Sequence, residues 1–395
     1  MSYFRIRRVT LKNYRSIAEC SVELGALTFL VGPNGSGKSN FLDSLRLVSD
    51  SLQTTLDHAL RDRGGVHEVR RRSAGHPTHF SIGLEFLYGA SAGSYSFTLG
   101  ARKGGAYSVQ SEECRLVVGD VGGGQHHYVV KDGLVTSSEP VTPPVSRDRL
   151  YLVAAAGLPV FRPVYDGLAN MGFYNLVPDR IRQLQSSDAG LLLHRDGSNI
   201  ASVVARMERN HPKDKAIIED YLSRVAPGVL GVDHESVGPM ETLAFKQKVA
   251  GSALPWRFPA SNMSDGTLRA LGVLVALFQA NDDADGTAGQ SLVGIEEPEA
   301  ALHPAAAGVL RDSLVDASGR KQVIVTSHSP ELLDDPSLHF DSLLAVDASD
   351  GKTRIGHLDE AGRFALQESL YTAGELLRLN QLVPAGLHLT PLPGL

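Results

Sequence analysis

Apolar and polar positions alternate over residues 3–11 and become nearly continuously apolar over 20–31, so the chain is expected to open with strands. A glycine-rich loop follows. From residue 39 to about 60 the period changes. Leu42, Leu45, Val48, Leu52 and Leu56 recur at helical spacing, which predicts one amphipathic helix. Residues 80–136 are rich in Gly, Ser, Tyr and Val, with turn pairs at Lys103-Gly104 and Asp132-Gly133, and read as antiparallel strands and hairpins. Pro140, Pro143 and Pro144 mark a boundary. Over residues 178–225 charged side chains interleave with Leu, Ile and Val, which predicts helices. Short apolar runs at 292–295 and 322–326 flank a helical stretch after Pro304, and this strand–helix–strand order predicts parallel strands. Three segments result: an N-terminal lobe over 1–145, a mainly helical subdomain over 146–287, and a C-terminal lobe over 288–395.

The loop after the second apolar run reads LTFLVGPNGSGKSN. Gly32, Gly37, Lys38 and Ser39 fit G-x-x-x-x-G-K-S between a predicted strand and a predicted helix. Glycines let backbone N–H groups converge on phosphate oxygens, and the helix N-terminus adds positive dipole. Asn34, Gly35, Ser36, Gly37, Lys38, Ser39 and Asn40 are therefore the expected phosphate cradle. Lys38 would reach the β- and γ-phosphates, and Ser39 would offer its hydroxyl to Mg²⁺.

A P-loop needs a second group for the metal at the end of a neighbouring strand. The run VGIEEPEAALHP supplies two. Glu296 is expected on the magnesium side, through water, and Glu297 is expected to orient or deprotonate the attacking water. The bland alternative is a pair of solvated carboxylates at a strand end. In VIVTSHSPELLD, His328 follows another apolar strand, where it could contact a γ-phosphate. NMSDGTLRALGVLVAL is a polar turn entering an apolar helix. Ser264 or Asp265 would cap that helix, and its Ser264–Gly266 turn is also an anion site that a second subunit's nucleotide could use.

Composition limits the classes that remain. The chain has 395 residues, 42% hydrophobic and 21% charged, as for a soluble globular protein. No apolar run nears the roughly 20 residues of a membrane span. The N-terminus lacks the apolar core of a secretory signal. Cys20 and Cys114 lie far apart and form no metal-type cluster, which suits a cytoplasmic setting. With a net charge of −6 the surface as a whole is not basic. Arg5, Arg7, Arg8, Lys12, Arg15, Arg61, Arg63 and Arg70–Arg72 could still form a local patch for DNA; the bland alternative is a solvated strand edge and loop. His126 and His127 are adjacent on a predicted strand, so they point to opposite faces and make an awkward metal pair.

Taken together, these motifs resemble the ABC-type ATPases of the RecF, SMC/Rad50 and OLD group, most closely its compact "predicted ATPase" branch. LKNYRSI resembles the group's opening strand, VGPNGSGKSN its Walker A, SDGTLR its signature, GIEEPEAALHP its Walker B and D-loop, and TSHSPELLD its switch histidine. The resemblance implies an α/β P-loop NTPase head: a mixed sheet, an antiparallel β lobe and a helical subdomain bearing the signature. It also implies a homodimer that sandwiches two ATP and Mg²⁺, with Ser264 and Gly266 of one subunit facing the Walker A of the other. Glu299 has no chemistry assigned, and His303 reads as a structural member of the turn.

Several positions depart from the pattern. Glu296 stands where Asp is commoner. Asp265 replaces a glycine and puts a carboxylate near a phosphate, which would weaken the sandwich. Neither Gln53 nor Gln110 has the context of a Q-loop glutamine. No long coiled coil is present, and the roughly 65 residues after His328 are too few for a Toprim nuclease. The expected activity is ATP hydrolysis, acting on DNA in repair or anti-phage defence. A different class of reading is a weakly hydrolysing nucleotide sensor that holds a separately encoded nuclease or toxin. A GTPase is disfavoured, because no Asn-Lys-x-Asp motif occurs.

Overall fold

The computed structural model describes residues 4–73, 75, 77–102, 105–119, 123–146, 149–279, 289–349 and 351–386. The Lys103-Gly104 turn lies outside them. The strands are β1 (Phe4–Tyr14), β2 (Ile17–Glu23), β3 (Leu27–Val31), β4 (His79–Tyr88), β5 (Ser91–Ala101), β6 (Tyr107–Val117), β7 (Gln125–Lys131), β8 (Leu134–Ser137), β9 (Met171–Tyr174), β10 (Gln185–Ser186), β11 (Val229–Val237), β12 (Met240–Gln247), β13 (Trp256–Pro259), β14 (Leu292–Glu296), β15 (Gln322–Ser327), β16 (Leu343–Ser349) and β17 (Lys352–Gly356). Thirteen of them form one sheet in the order β8-β7-β6-β5-β4-β1-β2-β17-β16-β3-β15-β14-β9. The run β16-β3-β15-β14-β9 is parallel, and the β1–β8 wing is antiparallel apart from β3. This is the expected mixed sheet.

Alternation along the parallel strands divides their side chains between two cores. Leu30, Leu292, Ile324 and Leu344 enter one, with Phe41, Leu45 and Val48 of the helix Lys38–Gln53. Phe29, Val31, Val293, Ile295, Val323 and Val325 enter the other, with the helices Ile200–Asn210, Asp265–Phe278 and Ala307–Ser318. A strand buried on both faces reads as a continuous apolar run, which is why these segments were short and unbroken in the sequence. Gly294 keeps one layer close: a Cβ there would stand 2.7 Å from both Leu42 Cδ1 and Phe173 Cδ1.

The helix expected over 39–60 is two helices. The first ends at Gln53, and Thr55 caps the second, Leu56–Arg61, by accepting from the His58 N–H at 3.1 Å. A side chain that caps a new helix end offers the backbone an alternative to continuing the first. The expected helical run over 178–225 holds the helices Pro178–Arg182, Ile200–Asn210 and Pro212–Val225, but residues 183–199 form a loop carrying the short β10. The expected mainly helical subdomain also contains a sheet of β10, β12, β11 and β13. Its strands were hard to read because charged residues interrupt both of their faces. Lys246 Nζ lies 2.7 Å from Asp233 Oδ1 across the β11–β12 pair, and His234 Nε2 lies 3.4 Å from Glu241 Oε1.

The wing is fastened by a buried carboxylate. Glu112 of β6 accepts from Tyr95 Oη at 3.1 Å, Tyr128 Oη at 3.0 Å, and the Tyr151 and Leu152 N–H groups at 2.5 and 2.8 Å. It thereby supplies the acceptors that the N-terminus of the helix Tyr151–Ala155 lacks. Burial pushes the Glu112 pKa up, and the four donors offset part of that. The wing meets the parallel sheet through a thinner joint: the β2–β17 pairing is the single residue pair Ile17 and Thr353.

Candidate functional site

The P-loop leaves β3 at Val31 and enters the helix Lys38–Gln53 through Gly35 (φ 77°) and Gly37 (φ 107°), left-handed positions that glycine occupies without strain. Gly37 is also sterically required, because a Cβ would lie 2.3 Å from Thr353 Oγ1. Thr353 clasps the back of the loop, with Oγ1 2.8 Å from the Ser36 carbonyl oxygen and 2.7 Å from Ser16 Oγ; Asn40 donates to the same Ser16 oxygen at 2.7 Å. No side chain caps the helix Lys38–Gln53, so its first N–H groups remain available. Ser36 Oγ is buried without a partner. Ser39 is exposed at the rim. Lys38 Nζ donates to the Gly32 and Pro33 carbonyls at 2.8 and 2.9 Å. Burial holds this ammonium below its usual pKa range, and the charges of Glu297 and Glu299 offset part of the shift. An uncapped helix end, an orphaned hydroxyl and a lysine resting on its own loop are the elements of a polyphosphate cradle.

Glu296 ends β14, and Thr326 of β15 stands beside it in parallel register. Glu297 follows with φ 45°, a conformation that costs a non-glycine residue about 1 kcal/mol or more. Three contacts hold it. Its N–H donates to the Thr326 carbonyl at 3.0 Å, Arg269 Nη2 donates to its carbonyl at 2.9 Å, and its Oε1 lies 3.2 Å from His328 Nδ1. Arg269 also bonds the carbonyls of Glu296 and Leu176, at 3.0 and 2.7 Å. The site thus brings Lys38, Glu297, Glu299 and His328 into one electrostatic neighbourhood. Glu299 accepts from Ser327 Oγ at 2.6 Å, its second oxygen is buried without a partner, and burial raises its pKa. His303 accepts from the Ala305 N–H at 3.2 Å, the structural task expected of it.

Ser264 caps the helix Asp265–Phe278, accepting from the Thr267 N–H at 3.2 Å, and it is exposed. Gly266 abuts the turn after Glu297: a Cβ there would meet the Ala301 carbonyl oxygen at 2.5 Å. Asp265 is not a lone carboxylate, because Arg182 bonds it and Asp179 together. Arg182 therefore offsets part of the repulsion of a phosphate expected from Asp265, while the trio keeps a net charge of −1.

Three contributors escaped the sequence reading. Arg269 is the only charge in the stretch 268–277, and that isolation was its one signal. Asn175 follows β9, one step beyond the Tyr174–Ile295 pair of the β9–β14 register, and is exposed on the side of Glu296. Gln53 donates to the Ala169 carbonyl, and Gln110 lies in the wing. Arg195 Nη2 lies 2.7 Å from Glu296 Oε1, and nothing in its local sequence announced it.

The arginine cluster is mostly spent on the fold. Arg63 is buried against Asp43 and Asp50 at 3.0 and 2.8 Å, Arg15 pairs with Asp43 at 2.9 Å, and Arg71 is buried on the Ser16 and Gly351 carbonyls. Arg61 and Arg72 pair along their own segments with Asp57 and Glu68. Arg8 pairs with Glu23 at 2.5 Å; Arg5, Lys12 and Arg7, the last 3.9 Å from the same Glu23 oxygen, lie on the solvent side of β1. His126 pairs with Glu139 at 2.6 Å, and His127 sits on the exposed side of β7. Among the described residues no helix is long and apolar enough to cross a membrane.

Comparison with known proteins agrees with this layout. Residues 5–86, which hold the P-loop, match a family described as an AAA ATPase domain. Residues 210–334, which hold Ser264, Glu296, Glu297 and His328, match one described as "AAA domain, putative AbiEii toxin, Type IV TA system". No curated protein matches the chain significantly. An Smc head bound to the C-winged helix domain of ScpA is similar with TM-score 0.51 and 14% identity, over 90% of this chain and 99% of that one. A Pyrococcus furiosus Smc head with an extended coiled coil, bound to the C-terminal domain of ScpA, gives 0.52 and 12%, over 94% and 100%. At these identities the likeness is one of fold: the chain has the P-loop ATPase architecture of SMC heads.

Proposed function

We propose that this chain binds Mg²⁺·ATP in the P-loop, hydrolyses it with Glu297 as the base, and dimerises around two nucleotides. The observation that carries the reading is the convergence of Lys38, Glu297 and His328 from three separated segments onto one site. Lys38 would exchange the Gly32 and Pro33 carbonyls for phosphate oxygens. Ser39 and Glu296 would hold magnesium, which supplies charge neutralisation to the phosphates when bound. Glu297 takes the proton of the attacking water, with its backbone fixed by Arg269 and Thr326 and its carboxylate steered by His328.

The dimer reading rests on the exposed Ser264 cap and on the Gly266 contact that ties it to the turn after Glu297. It is tested by sedimentation with a nonhydrolysable ATP analogue. Lys38→Ala is expected to lose nucleotide binding. Ser264→Arg is expected to keep binding and lose nucleotide-driven dimerisation, with a helix-cap loss of about 1 kcal/mol that leaves the fold intact. Equal dimerisation by both variants would count against the sandwich.

DNA is the proposed client, in repair or in defence, through Arg5, Arg7 and Lys12 on the open face of β1. Phosphate contacts make such binding fall steeply with salt. Affinity indifferent to both salt and ATP would remove DNA from the reading. The second reading is an ATP-sensing scaffold for a separately encoded effector; the match to a family whose description includes "Type IV TA system" supports a role beside a second component.

A further inference from the structure

We propose that Arg195 is a placeholder for magnesium: its guanidinium holds Glu296 until the cation arrives with the nucleotide, and so lessens the dependence of nucleotide binding on magnesium. This rests on the nucleotide reading of the P-loop given above.

Arg195 belongs to the loop between the helix Pro178–Arg182 and the helix Ile200–Asn210, far in sequence from both P-loop and Glu296. Its backbone is fixed. The Asn175 N–H donates to the Arg195 carbonyl at 3.0 Å, and the Val177 N–H donates to the Asp196 carbonyl at 3.1 Å. These two bonds pin the residue to the segment leaving β9, the strand beside β14. Only the side chain is left free to move, and it is about 43% exposed. Its ion-pair partner is Glu296 at 2.7 Å.

A like charge acts on Arg195 as well. Arg46, on the P-loop helix, is held below its usual pKa range first by burial and next by the charge of Arg195. Arg46 has its own carboxylate partners, Asp50 at 3.3 Å and Asp43 at 3.9 Å. Arg195 is thus repelled from the P-loop helix and attracted to one oxygen of Glu296. A divalent cation on that carboxylate removes the attraction and adds a second repulsion. A half-exposed guanidinium on a pinned backbone can leave without any rearrangement of the sheet.

This arrangement predicts effects of opposite sign in one variant. Without magnesium, Arg195 neutralises Glu296 beside the phosphates; with magnesium, it competes for the same oxygen. Equilibrium titration of the full chain with a fluorescent nonhydrolysable ATP analogue, in Mg²⁺ and in EDTA, reads both. Arg195→Ala is expected to bind about two- to fivefold tighter than wild type in Mg²⁺ and weaker by a similar factor in EDTA, as befits a half-exposed ion pair. Arg195→Lys keeps a cation on Glu296 and is expected to stay near wild type in both. Glu296→Gln should abolish the sign change when combined with Arg195→Ala.

Weaker binding of Arg195→Ala in both buffers, matched by Arg195→Lys, would mark a phosphate contact or a structural residue and overturn the proposal. Unchanged binding in both buffers would overturn it equally. Absence of nucleotide binding by the wild type, or wild-type binding by Lys38→Ala, would overturn the proposal together with the P-loop reading beneath it.

Discussion

Glu297→Gln is expected to cut ATP turnover by about 10²–10⁴-fold while ATP binding persists. The change is nearly isosteric, and what holds this residue in its left-handed conformation is backbone. The Thr326 carbonyl receives its N–H and Arg269 donates to its carbonyl, so neither anchor depends on the carboxylate. His328 can still hydrogen-bond the amide oxygen from 3.2 Å. What the amide cannot do is accept the proton of an attacking water. The measurement is single-turnover ATP hydrolysis beside analogue binding, wild type against variant. Turnover equal in the two would end the hydrolytic reading and leave the ATP-sensing scaffold in possession of the site.

Glu112→Ala is expected to destabilise the chain by about 3–5 kcal/mol, the largest stability effect expected outside the nucleotide site. Truncation strands two buried tyrosine hydroxyls and the Tyr151 and Leu152 N–H groups, all four of which donate to this one carboxylate. Glu112→Gln should cost less, because it keeps one acceptor oxygen and opposes an amide donor to a single N–H. The pH dependence has a definite sign. Burial raises the Glu112 pKa, so the folded protein holds that proton more tightly than the unfolded chain. Its contribution is full below the ordinary glutamate range and declines as pH rises through the raised folded value. The penalty of Glu112→Ala should therefore be larger in acid than at neutral pH. Denaturant unfolding of both chains at two pH values checks it; a penalty that grew with pH would contradict the burial argument.

The P-loop was fully legible because its residue types are dictated by backbone: Gly37 must be left-handed and has no room for a Cβ against Thr353. Glu296, Glu297 and His328 were legible because strand ends announce themselves in an apolar run. The rest depended on contacts across the chain. Arg182 reaches Asp265 from 83 residues away, and Arg195 reaches Glu296 from 101. Period and composition are blind to such pairs. The same blindness made buried Arg63 and Arg71 look like surface charge, although their partners are an acidic pair on the P-loop helix and two carbonyls. The β11–β13 sheet was hidden for a related reason, since ion pairs stand on both of its faces, Asp233 with Lys246 on one and His234 with Glu241 on the other.

The single-pair joint at Ile17 and Thr353 has a mechanical meaning. From β8 at the wing's edge to β3 is nine strand spacings, a span of about 43 Å at 4.8 Å each. Along most of that span the neighbours are laced by long ladders, and at one place by a single rung. Beside that rung the Gln322 side chain braces β1, accepting from the Ile6 N–H at 2.9 Å and donating to its carbonyl at 2.8 Å, so side chains carry the joint as much as the ladder does. Thr353 of the rung touches the Ser36 carbonyl and fills the space beside Gly37. The one ladder rung between wing and parallel sheet is thus also a wall of the phosphate loop.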